Sequence, residues 1–236
     1  MIFFPQRSND PELMDNRSGD TALLMKTFSH FKPINLLFGR SRYFIYRMLL
    51  PHMERQQRRL FTIVDAGAGG GDFALLLARA LERHSIAANI ICIDSDPRAV
   101  AYAAQQCREV KNISVVRESA LNLAKLPSPP DYLFASNLLH HLSEEACVKL
   151  LRTVNDQARC GYVITDLQRS AFWYCLYALF AGVFFRNSYA LSDGLLSIRR
   201  SFTLPELALL IERAEISAAP RIRRLLPGRL VVYNLQ

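Results

Sequence analysis

At 236 residues, 50% hydrophobic and 21% charged, the sequence has a globular composition and enough length to bury a substantial core. That makeup excludes a disordered or collagen-like chain, and five scattered cysteines without a Cys-x-x-Cys pair exclude a disulfide framework or zinc ribbon. The formal charge of +8 comes from arginine clusters (Arg55, Arg58 and Arg59; Arg199 and Arg200; Arg221, Arg223, Arg224 and Arg229), which suit nucleic acid, an anionic membrane surface, an acidic substrate or a plain solvated face.

Met1 to Gln6 has no charged n-region and no long apolar core, so no signal peptide is predicted and a cytoplasmic protein is expected. Residues 1–20 read as a loop or loosely packed arm. Thr21 to Leu50 carries two apolar helical sets, with Pro33 and Gly39 marking breaks, and Pro51 to Arg59 leads into a strand at Leu60 to Val64. Strand and helix patterns then alternate. A helix is predicted over Asp72 to His84, a strand over Asn89 to Ile93, a helix over Pro97 to Cys107 behind Asp96, and strands over Ile113 to Val116 and Tyr132 to Ala135. Ser143 is a candidate helix cap, and the fifth strand spans Tyr162 to Thr165. Residues 171–185 are fifteen apolar or aromatic residues, too few to cross a bilayer, and predict a buried helix; a greasy pocket, a dimer face or membrane contact would also explain them. Thr203-Leu204-Pro205-Glu206 is a capping box, and Arg221 to Leu225 with Leu230 to Asn234 read as a hairpin.

The functional signal lies in Ile63-Val64-Asp65-Ala66-Gly67-Ala68-Gly69-Gly70-Gly71-Asp72. Glycines at alternate positions remove the Cβ atoms from a strand-to-helix turn, so the backbone can take positive φ and approach a ligand. Gly69-x-Gly71-x-x-Ala74 formally satisfies the dinucleotide fingerprint, with Asp94 at about the right distance for a ribose. Two carboxylates oppose that reading. Asp65 ends the strand and suits a cationic ligand, and Asp72 stands where the third glycine belongs when the motif is read from Gly67.

The run from Val64 to Gly71 closely resembles the first motif of class I S-adenosylmethionine (SAM) dependent methyltransferases. The resemblance continues in order through Ile93-Asp94, Ser119-Ala120 and Ser136-Asn137-Leu138-Leu139-His140-His141-Leu142, over roughly residues 60–170. It implies an α/β fold: a Rossmann-like seven-stranded, mostly parallel sheet with helices on both faces and an antiparallel C-terminal strand. An arm and helical cap (1–55) would precede a SAM-binding domain (56–236) with a substrate-covering insertion at 168–202. The implied cofactor residues are Asp65, Ala66, Gly67, Gly69, Gly71, Asp94, Ser95, Ser119, Ala120 and Asn137. Asp65 would face the SAM ammonium and Asp94 the ribose, with S-adenosyl-L-homocysteine as product and no metal. Histidines with a pKa near neutral suit proton removal, which makes His140 and His141 the candidate bases, with Asp166, Arg169 and Asp193 behind them. Phe31, Tyr43, Phe172 and Trp173 are candidate acceptor contacts.

The expected activity is methyl transfer to a small hydrophobic or aromatic acceptor in biosynthesis, O-methylation of a phenol or hydroxyquinone-like group first and C-methylation of a quinone or lipid-like acceptor second. RNA methylation, an NAD-dependent oxidoreductase and a non-catalytic scaffold are the rivals. The motif that grips a flipped base is absent, which weighs against nucleic acid. A monomer or homodimer is expected, with membrane contact the lesser alternative.

Overall fold

The computed structural model describes residues 4–15, 21–56, 58, 60–184, 188–216 and 219–235, without the side chains of residues 21, 22, 28, 31, 32, 35–37 and 184. Seven strands, β1 (Phe61–Ala66), β2 (Ala88–Asp94), β3 (Ile113–Arg117), β4 (Tyr132–Ser136), β5 (Gly161–Leu167), β6 (Arg221–Leu225) and β7 (Arg229–Leu235), form one sheet in the order β3-β2-β1-β4-β5-β7-β6. β1 to β5 pair in parallel, while β7 runs antiparallel to both β5 and β6. The apolar runs at Ile63–Val64, Leu133–Ala135 and Val163–Ile164 are buried because helices cover both faces of these central strands.

On one face α4 (Asp72–Arg83) lays Phe73, Leu77 and Leu81 against the sheet, and the Phe73 ring stacks on Phe134 with centroids 3.5 Å apart. The other face is covered by α6 (Glu144–Gln157) and α9 (Leu204–Arg213) through Leu150, Leu151, Val154, Leu207 and Leu210. Local capping follows the sequence. The Asp96 side chain accepts from Arg98 N at the start of α5 (Pro97–Cys107), Ser143 accepts from Ala146 N, and Thr203 and Glu206 close a capping box.

Several expectations are corrected. α1 (Thr21–Leu37) does not break at Pro33, whose ring is exposed, and ends instead before Arg40, which takes φ 58°. Nor does the helical chain stop at Pro51. After the short α2 (Ser41–Tyr43) comes a π-helical stretch, Phe44–Leu49, and then α3 (Leu50–Arg55), with Pro51 in its first turn. A proline ring clashes with the carbonyl four residues back, and the wider turn before it opens the room it needs. Strand β1 begins at Phe61, not at Leu60, which is exposed.

The helix α7 (Ala171–Phe184) is not buried all round: Phe172, Leu179 and Val183 lie exposed along one side, Trp173, Tyr177 and Phe180 face inward, and Leu176 sits between them, 42% exposed yet bordering the cavity. It spans a cavity mouth, so only its inner face has anything to pack on. Cys175 is exposed on it, whereas the other four cysteines are buried and all five are free. Among the described residues no helix is long and apolar enough to cross a membrane. Arg59 and the ends of the predicted arm, residues 1–3 and 16–20, lie outside the described residues.

Residues 4–15 are not loosely packed. The buried Arg169 guanidinium donates to the carbonyls of Phe4, Pro5 and Ser201 and pairs with Glu206. Asp193 in α8 (Ala190–Arg200) accepts from Leu13 N and Met14 N, and Arg7 lies 3.7 Å over the Phe202 ring. Arg169 and Asp193 are thereby occupied as clamps for the arm.

Where β5 begins, Gly161 has φ +145° and an added Cβ would sit 2.3 Å from Asn234 O of β7. Gly161→Ala is expected to lower stability by about 2 kcal/mol or more by prising β7 from β5. Urea unfolding checks this through a lower midpoint at unchanged slope.

Candidate active site

The carboxyl ends of β1 to β5 open into a cavity of about 700 Å³. At one end the loop after β1 is folded as its glycines predict. Gly67, Gly69 and Gly71 take φ of +71°, +52° and +78°, conformations that L-residues with a Cβ rarely adopt. Each glycine has a separate reason. A Cβ on Gly67 would press on Leu138 and one on Gly71 on Cys107, whereas one on Gly69 would project into open space. Gly71 therefore serves helix packing, and Gly67 and Gly69 border the cavity. Ala66 is buried and also stands outside the cavity lining.

Asp94 ends β2 and braces this loop: one oxygen accepts from Gly69 N at 2.9 Å and the other from Asp96 N at 2.9 Å. Ser119 caps the turn after β3 by accepting from Leu121 N, and Ser119, Ala120, Ser95 and Asn137 all line the cavity. Asn137 holds φ 55°, which asparagine tolerates better than most residues.

Asp65 is the anomaly. It is 2% exposed, and its Oδ2 is buried with no hydrogen-bond partner. Burial, with Asp94 and Asp72 adding negative charge, pushes its pKa up to about 8. An orphaned buried carboxylate is costly unless a ligand completes it. A group with an ammonium for Asp65, hydroxyls for the remaining lone pairs of Asp94, and a flat ring beside Ser119 and Ala120 fits this end.

Midway, the turn after β4 carries His140 and His141. His140 is buried, with Nδ1 2.6 Å from Asp166 Oδ1, and its backbone N donates to Asp166 Oδ2 at 2.9 Å. Burial alone would lower the His140 pKa, but the Asp166 charge outweighs it and the net shift is upward. Asp166 shifts down in return: burial would raise it, and His140 prevails. His141 goes the other way, to about 3, because burial and the charges of His140 and Arg200 all disfavour its cation.

The sequence offered no sign of Glu12, which the arm delivers into this cluster. It is 2% exposed and accepts from Ser197 Oγ at 2.8 Å. Its oxygens lie 3.8 Å from His140 Nε2 and 4.0 Å from His141 Nε2. Burial lifts its pKa to about 7 against the pull of His140. Where the sequence predicts no metal, Glu12, His140 and His141 each present a donor atom within 4.8 Å of the others, a set able to hold a cation.

The far end is apolar and aromatic: Ile34, Phe38, Trp173, Leu176, Tyr177 and Phe180. Of the predicted acceptor contacts only Trp173 is placed there. Phe172 is 66% exposed and points away, Tyr43 packs edge-on against Phe44, and the Phe31 side chain lies outside the described residues. Arg229, grouped by sequence with surface arginines, is 1% exposed and borders the cavity. No local pattern distinguishes it from its exposed neighbours Arg221, Arg223 and Arg224.

Residues 63–161 match a family model described as a methyltransferase domain. No curated protein matches the chain by sequence. Among solved structures, human N-acetylserotonin methyltransferase in complex with SAM is similar at TM-score 0.61 and 14% identity, covering 89% of this chain and 55% of that one. A SAM-dependent methyltransferase from Aquifex aeolicus gives 0.51 and 18%, over 92% and 98%. Magnesium protoporphyrin IX methyltransferase from Synechocystis, with bound S-adenosylhomocysteine, gives 0.53 and 12%, over 91% and 84%. The chain spans only 60% of a similar candidate O-methyltransferase from Nostoc punctiforme and 55% of the pyocyanin biosynthetic protein PhzM. Residues 63–161 thus match a methyltransferase domain, and the sheet that carries them has the fold of SAM-dependent methyltransferase structures.

Proposed function

We propose that the protein methylates a small, planar, apolar acceptor at oxygen, on a phenol or hydroxyquinone type of group, with SAM as donor. The observation that carries the reading is the buried Asp166–His140 pair, set between a glycine loop fit for SAM and an aromatic chamber. Bound at the loop, SAM would supply an electrophilic methyl on a sulfonium. The chain's own residues supply position and proton handling. Asp65 would take the ammonium, Asp94 the ribose hydroxyls, and Ser119 and Ala120 the adenine side. α7 and the arm exclude water from the chamber.

His140 is the better base of the two histidines. Asp166 fixes its Nδ1 as the N–H, leaving the Nε2 lone pair for the acceptor hydroxyl, and stabilises the imidazolium that results. Glu12, beside Nε2, is placed to relay that proton onward. His141, held neutral far below neutral pH, has little basicity to offer. Similarity to the candidate O-methyltransferase structure from Nostoc punctiforme supports this choice without naming the acceptor.

Three outcomes test it. His140→Ala is expected to lower kcat about 10²–10⁴-fold with an active phenolic acceptor while leaving S-adenosylhomocysteine affinity unchanged, and His141→Ala to cost far less. The wild-type kcat should rise with pH through a value above the ordinary imidazole 6.5, since His140 must be neutral to accept a proton and its pKa is raised. Asp65 gives the third. Its folded pKa, about 8, exceeds the ordinary 3.8, so the ligand-free fold binds the extra proton. Its stability should therefore fall as pH rises between those values, a slope that Asp65→Asn removes. An ammonium drawn onto Asp65 restores its charge, so S-adenosylhomocysteine binding at neutral pH should release a proton, seen by calorimetry in buffers of different ionisation enthalpy. No binding, or binding untouched by Asp65→Asn, would sink the cofactor assignment.

A further inference from the structure

Arg229 has a coordination that nothing in methyl transfer itself explains. It is the first residue of β7, and its guanidinium reaches across β5 to the end of β4. Nε donates to Thr165 Oγ1 at 3.0 Å, and Nη2 donates to Ser136 Oγ at 3.1 Å and Asn137 Oδ1 at 2.8 Å. All three acceptors are neutral oxygens. Asp166, whose charge Arg229 feels, spends its oxygens on His140 N, His140 Nδ1 and Leu167 N. Among the described residues no carboxylate forms an ion pair with Arg229. Three neutral bonds fix the plane of the fork and, among the described residues, leave Nη1 without a hydrogen-bond partner. That atom is not sealed among the buried unpartnered ones, so its N–H groups open on the cavity that Arg229 borders.

Desolvating a guanidinium without a countercharge is unfavourable, and a fork aligned by its inner edge presents its outer edge to an oxyanion in a fixed geometry. The wall beside it is the Trp173 ring, which lies so close to Gly228 that a Cβ there would be 2.7 Å from it. Leu167 and Pro227 complete the surround. A flat apolar surface meets there a cation that no carboxylate among the described residues contacts directly.

We propose that Arg229 is the acceptor-recognition residue, and that the acceptor is a planar apolar molecule carrying an anionic oxygen, which the Nη1 edge binds while Trp173 flanks the ring. This rests on the methyltransferase reading and narrows it from neutral phenols to acids. A carboxylate and an ionised enol or phenol share the required chemistry.

The test uses the full chain saturated with S-adenosylhomocysteine and three naphthalene-sized probes at neutral pH: 2-naphthoate, the 2-hydroxy-1,4-naphthoquinone anion, and neutral 1,4-naphthoquinone. At least one anion should bind about tenfold or more tighter than the neutral probe, and which one does identifies the kind of oxygen. Arg229→Gln should bring the anions to the level of the neutral probe, and Arg229→Lys, which keeps the charge without the fork, should fall between. S-adenosylhomocysteine affinity should hold in both variants. Equal binding of anions and neutral probe to the wild type overturns the proposal, and that comparison decides alone should Arg229→Gln not fold. A folded Arg229→Gln that loses S-adenosylhomocysteine instead puts the cofactor carboxylate on this arginine and also overturns it. Wild-type protein that fails to bind S-adenosylhomocysteine overturns the methyltransferase reading itself.

Discussion

The reversal of strand order at β1 governs this molecule. From β1 the sheet grows one way through β2 to β3 and the other way through β4 to β5, so the loops leaving β1 and β4 diverge and a crevice opens between them. Asp65, Asp94, Ser119 and Asn137 each end or closely follow one of the parallel strands β1 to β4, which puts them on its rim, and Asp166 near the end of β5 stands behind the rim and holds His140 there. Arg229 arrives differently. It starts its strand, and only because β7 is antiparallel does that start lie at the same edge as the ends of the others. The antiparallel strand is thus how a residue near the C-terminus joins a site built from the middle of the chain.

Along the crevice the charge changes sign. At one end burial, with the charge of Asp94 beside it, holds Asp65 protonated when no cation answers it. The centre holds groups poised to exchange a proton, with His140 and Asp166 stabilising each other's charge. The other end is apolar with one buried cation. Burial amplifies each of these fields, since little water reaches them to screen it.

The sequence showed the acidic end well and the rest unevenly. Asp94, which braces Gly69 25 residues back, shows through its place at the end of the second strand. The glycine loop, the caps at Asp96 and Ser143 and the Thr203 box are local patterns whose partners lie a few residues away, so residue order alone exposes them. Glu12 and Arg229 are not. Glu12 meets Ser197 and Arg229 meets Ser136, contacts 185 and 93 residues apart, and nothing in a polar arm or an arginine-rich hairpin says which charge turns inward. Pro33 and Pro51 misled because a proline signals a break only when the helix cannot widen or face its ring to water. The exposed side of α7 was hidden by its composition: a helix apolar all round carries no periodicity to say which face is covered.

The arm that carries Glu12 is docked through main-chain groups. Arg169 takes the carbonyls of Phe4 and Pro5, Asp193 takes the amides of Leu13 and Met14, and Ser8 N donates to Arg199 O. Every amino acid supplies those carbonyls, and every one but proline supplies those amides. These anchors place no demand on side-chain identity, while Arg7 over Phe202 and Glu12 on Ser197 add side-chain contacts of their own. Away from Arg7 and Glu12 the arm's sequence can drift, or be redesigned, while its path over the cavity stays the same. A side chain of the arm that borders the cavity, such as Met14, can then be exchanged without disturbing the main-chain anchors beneath it.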